Sequence, residues 1–121
     1  MLRRLLLPSA LLAVSLVAVS AGNAGTSGGH ALSGVVGPGF AIEVKQGTKD
    51  VKTLKAGTYT IKVQDKSSIH DFHLKGPGVN KVTTVSGTGT QTWTIKLKPG
   101  TYTYQCDPHS ASMNGTFKVT T

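Results

Sequence analysis

Thr58-Tyr59-Thr60-Ile61-Lys62-Val63-Gln64 alternates between large apolar and polar side chains without a break. Successive residues of a strand point to opposite sides, so Tyr59, Ile61 and Val63 share one face while Thr60 and Lys62 share the other. The pattern returns downstream. Trp93, Ile95 and Leu97 alternate with Thr94 and Lys96, and Phe117 and Val119 flank Lys118. Each set predicts a row of core residues with its lysines turned to water.

Working outward, short runs rich in Thr, Val, Ile, Tyr and Lys fill the chain from Phe40 onward. They are Phe40–Lys45, Val51–Leu54, Thr58–Gln64, Ile69–Leu74, Lys81–Val85, Thr90–Leu97, Thr101–Cys106 and Gly115–Thr120. Gln46-Gly47, Ala56-Gly57, Gly76-Pro77-Gly78, Gly87-Thr88-Gly89 and Pro99-Gly100 punctuate them as turns. No window carries apolar residues at helical spacing for more than two turns. About eight short strands at this spacing predict an all-β sandwich or barrel.

Upstream the texture differs. Gly25–Gly39 is rich in Gly, Ser, Ala and Thr and predicts a flexible lead-in, with His30 a solvated residue. Met1–Ala24 opens with Arg3 and Arg4, continues apolar from Leu5 to Val19, and ends in small residues. Such a segment reads as a secretory signal peptide, with a retained membrane anchor as the alternative. Cleavage after Ala24 leaves 97 residues, enough for one domain over 40–121 and too few for two. The expected location is therefore secreted or periplasmic, without a membrane span in the mature chain.

Both arginines leave with the signal, so eleven lysines face five acidic residues, a formal charge of +6. That balance suits an acidic partner or an anionic envelope surface. The lysines are scattered singly, with no arginine among them, which argues against nucleic acid.

Cys106 is the sole cysteine, so an exported chain has no internal disulfide and its thiol must be buried or occupied. Tyr102, Tyr104 and Cys106 share a face, which points Cys106 inward at the end of a strand. Asp107-Pro108 breaks that strand, His109 follows, and Met113 lies just before the last strand. In Ile69–Leu74, His70 shares a face with Phe72 and Leu74, whereas His73 points away. A buried histidine needs partners for its ring nitrogens. A backbone-bonded core histidine is one solution. The nearby thiolate, imidazole and thioether supply another: two histidines, a cysteine and a weak axial methionine are the donor set of a blue-copper electron-transfer site.

Cys106-Asp107-Pro108-His109 followed by Met113, with His70-Asp71-Phe72 upstream, resembles the plastocyanin–amicyanin branch of the cupredoxins over roughly Phe40–Thr121. The resemblance implies an antiparallel Greek-key β-sandwich holding one copper ion. His70, Cys106 and His109 would be its ligands and Met113 the axial sulfur. It also implies a monomeric one-electron carrier with a redox partner protein, an inward Tyr104 near the site, a non-ligating His73, and electron exit through His109. This chain departs from the pattern in four places. Three residues separate His109 from Met113; Asp71 replaces an asparagine, Asp107 replaces Ser or Thr, and Gln105 replaces a docking tyrosine. Two carboxylates beside the metal are expected to lower its potential.

Other assignments use the same residues. Zinc bound by His70, His73, Cys106 and His109 fails because strand positions three apart cannot converge. A Cys106 nucleophile with a histidine base lacks a cleft and an orienting acid, so no enzyme is expected. Copper delivery, storage or tolerance keeps the fold and the ligands but changes the task. The chain lacks the methionine-rich exposed segment that would support it.

Overall fold

The computed structural model describes residues 30–121, so the expected signal segment lies outside the described residues. Ten strands occur in this span: β1 Ala31–Val36, β2 Ile42–Gln46, β3 Lys49–Asp50, β4 Thr53–Lys55 and β5 Gly57–Asp65, then β6 His73–Gly76, β7 Val79–Val82, β8 Gly89–Leu97, β9 Gly100–Gln105 and β10 Asn114–Thr120. They form two five-stranded sheets, ordered β3-β2-β1-β5-β8 and β4-β10-β9-β6-β7. A β-sandwich is the result, as expected. Not every pairing is antiparallel, however: β1 runs parallel to β5, and β4 parallel to β10. No helix among the described residues is long and apolar enough to cross a membrane.

The alternating rows supply the core. Tyr59, Ile61 and Val63 of β5 and Trp93, Ile95 and Leu97 of β8 are all buried, and the two strands pair in register from Gly57↔Leu97 to Asp65↔Gly89. Phe72, Leu74, Tyr102, Phe117 and Val119 line the opposing sheet. Each such side chain contributes about 1.5–3 kcal/mol on leaving water. At one end the Tyr102 hydroxyl accepts the Lys98 N–H and donates to the Pro77 carbonyl, both at 2.9 Å.

The lead-in expected over Gly25–Gly39 is corrected for its second half. Ala31–Val36 is the middle strand of its sheet, with Leu32 and Val36 buried. Its small residues serve packing, because Phe72 lies against Gly34. The run expected over Ile69–Leu74 is also displaced: His70, Asp71 and Phe72 sit in a loop, and β6 begins at His73.

Candidate metal centre

Two loops at one end of the sandwich carry the site. The first, from β5 to β6, is anchored by the buried Asp65. The Asp65 carboxylate accepts the Ser67 N–H at 3.1 Å and the Thr83 hydroxyl at 3.1 Å. Thr83 in turn holds the Phe72 backbone from both sides: its Oγ1 accepts the Phe72 N–H, and its N–H donates to the Phe72 carbonyl. With Phe72 fixed and fully buried, His70 is fixed two residues earlier, itself 0% exposed.

The second loop joins β9 to β10 and closes on itself. Cys106 N–H donates to the Met113 carbonyl at 3.0 Å, and Met113 N–H donates to the His109 carbonyl at 2.9 Å. Asp107–His109 forms one turn of 3-10 helix, with Pro108 near its start, where the missing N–H is not needed. The pairing Asn114↔Gln105 closes the neck of the loop. Cys106 and Met113 are buried, and His109 is half-buried.

The loops bring three donor atoms together. His70 Nδ1 and His109 Nδ1 lie 3.1 Å apart, and Cys106 Sγ lies 3.7 Å from the first and 3.5 Å from the second. A point equidistant from all three is about 2.0 Å from each, which matches the ~2.0–2.1 Å of a zinc–imidazole bond and so fits a first-row transition metal. His70 Nε2 has no partner among the described residues, so Nδ1 is the nitrogen His70 offers inward. Nothing in the structure explains that orphan. Burial pushes the Cys106 thiol above its ordinary value, only partly offset by the backbone N–H groups of Asp71 and His109. A neighbouring cation reverses that preference and favours the thiolate.

His73 stands outside the trio, in keeping with its outward direction. Its Nδ1 meets the Asp107 carboxylate at 2.9 Å, and its Nε2 meets Asn80 Oδ1 at 2.6 Å. Gln105 donates to the same carboxylate at 2.8 Å. Tyr104 is partly buried and stacks parallel to Phe72, with ring centroids 6.3 Å apart. Three contributors carry no signal in the sequence. Phe40 is 65% exposed, yet packs edge-on against both imidazoles, with centroids 5.0 Å from each. Asp65 and Thr83 position His70 from a distance, and a Thr followed eleven residues after a Phe carries no sequence signal.

Residues 40–120 match the family described as copper binding proteins, plastocyanin/azurin family. No curated protein matches the chain in sequence. Among solved structures, reduced rusticyanin is similar at 23% identity and TM-score 0.53, covering 74% of this chain and 78% of that one. Auracyanin A, described as a "blue" copper protein from the green thermophilic photosynthetic bacterium Chloroflexus aurantiacus, is 21% identical with TM-score 0.51, covering 74% and 98%. Dithionite-reduced auracyanin from the photosynthetic bacterium Roseiflexus castenholzii is 20% identical with TM-score 0.55, covering 76% and 98%. These likenesses establish the shared fold.

Proposed function

We propose that this chain, which belongs to the plastocyanin/azurin family of copper-binding proteins, is a small one-electron carrier working outside the cytoplasm. Its cofactor is copper, one ion per chain. We assign His70, Cys106 and His109 as the ligands and Met113 as the weak axial donor. Copper bound there supplies reversible exchange of one electron.

The convergence of two imidazole nitrogens and one buried sulfur carries this reading. The rest of the chain holds those donors still. The Cys106–Met113 hydrogen bond, the 3-10 turn and the clamp on Phe72 brace the backbone that carries all three. A ligand set so held has little to rearrange between two oxidation states. His109, half-buried beside the exposed Phe40, is the group a redox partner can approach. Export rests on the basic-then-apolar opening of the chain. No reaction of its own is assigned to the protein.

Voltammetry of the copper-loaded protein beside a cuprous chelator tests the reading. A reversible one-electron wave with copper retained through repeated cycles supports a carrier. Loss of copper to the chelator on reduction favours delivery or storage.

A further inference from the structure

The two sheets leave one side of the sandwich open. β7 ends one sheet and β8 ends the other, so each has a backbone edge with no strand partner among the described residues. Between them lies a cavity of about 390 Å³. Its lining combines the buried Val79 and Ile95 with Asn80, Thr94 and the lysines Lys81, Lys96 and Lys98. Lys81 pairs with the buried Leu74 and shares a face with Val79, so it lies on the core-facing side of its strand and reaches out at the opening.

No ion pair among the described residues involves these lysines. The ion pairs among the described residues are Lys45–Glu43 and His73–Asp107. Asp65, Asp71 and Asp107 are all engaged at the metal end. Lysines on open edges also keep a chain from pairing with its own copies. Here three of them line a groove of mixed polarity flanked by two backbone edges unpaired among the described residues. That combination suits an extended chain whose acidic side chains meet the lysines while its backbone pairs with an edge.

We infer that the groove between β7 and β8 receives an extended acidic segment of a partner protein. The inference stands apart from the metal ligands, since none of the groove residues is a donor to the centre.

The probe is a ten-residue peptide of alternating Glu and Thr, titrated into the full chain in its copper-free and cuprous forms and followed by amide NMR. Shifts confined to Val79–Val82 and 94–98, weakening as salt rises, are expected in both forms. Replacing Lys81, Lys96 and Lys98 together by Gln should weaken the peptide at least about tenfold. Replacing Lys52, Lys62 and Lys118 together by Gln, the same loss of charge elsewhere, should leave it nearly unchanged. Equal weakening by both triple variants, or shifts spread over the whole lysine surface, overturns the inference. So does tighter binding to phosphatidylglycerol vesicles than to the peptide, which assigns the face to a membrane. Because the copper-free form is read as well, a negative result here leaves the electron-carrier reading intact.

Discussion

The Asp71 carboxylate accepts the backbone N–H of Asp107 at 2.6 Å, and this contact joins the loop carrying His70 to the loop carrying Cys106 and His109. The two acids behave differently. Burial pushes the Asp71 carboxyl above its ordinary value; the Asp107 N–H pulls it back only in part, and the Asp107 carboxyl adds to the rise. Burial alone would raise Asp107 too, but hydrogen bonds from Gln105, His73 and Asp71 bring it below its ordinary value. The two carboxyls therefore shift in opposite directions, so that as pH falls a proton goes to Asp71 before Asp107.

Opposite shifts predict opposite pH behaviour in the copper-free protein. A raised carboxyl stabilises the fold at acid pH, and that contribution is lost as pH rises through the folded value; a lowered one contributes above the ordinary range and fails as pH falls. Asp71→Asn keeps the acceptor for the Asp107 N–H and offers a permanent donor to its carboxylate. Its melting temperature should exceed the parent's at pH 7 and converge on it near pH 3. Asp107→Asn should fall below the parent at pH 7 and approach it only as pH drops beneath the ordinary carboxylate range. Asp71→Ala should lose about 1 kcal/mol at either pH, because the part-buried Asp107 N–H loses its acceptor. A less stable Asp71→Asn at pH 7 contradicts the assignment.

Gly34 has no room for a side chain. A Cβ there would lie 2.6 Å from Phe72 Cζ and 3.3 Å from Ile61 Cδ1. Gly34→Ala should cost about 1–3 kcal/mol by overpacking. Since Phe72 follows His70 by two residues, copper affinity should fall with stability. Urea denaturation and copper titration measure the two losses; an unchanged affinity would disconnect Phe72 from the ligand loop.

Met113 is buried whether or not it donates to copper. Met113→Leu nearly conserves volume and should cost less than about 1.5 kcal/mol of stability. An axial sulfur favours the more positive cupric state, so its loss should raise the reduction potential. An unmoved potential would leave Met113 as core filler.

Phe40 touches both imidazoles while most of its surface meets solvent. Phe40→Ala should cost about 1 kcal/mol or less in stability, since little area leaves the core. Electron self-exchange should slow by about tenfold as His109 loses its apolar neighbour, with the visible spectrum nearly unchanged. An unaltered exchange rate would move the exit away from His109.

Much of this was legible in the chain. Alternation at Tyr59–Val63, Trp93–Leu97 and Phe117–Val119 marks strands with one buried face, and the structure places them so. Cys106 and His109 sit three residues apart on a turn marked by Pro108, so their meeting is local. His70 was harder: its inward direction came from a strand period, whereas a loop clamped by Asp65 and Thr83 sets it. β1 was missed because its small residues resemble a linker. Only the tertiary approach of Phe72 to Gly34 gives them a role. Gains of that kind arise between segments distant in sequence, where no local period records them.

The most direct test of the central claim is the visible spectrum of the protein after one equivalent of cupric ion. An intense thiolate-to-copper charge-transfer band is predicted, bleached by mild reductant and absent from Cys106→Ser although that variant stays folded. Copper bound without the band, or a band that survives in Cys106→Ser, would contradict the assignment of Cys106 and the electron-carrier function built on it.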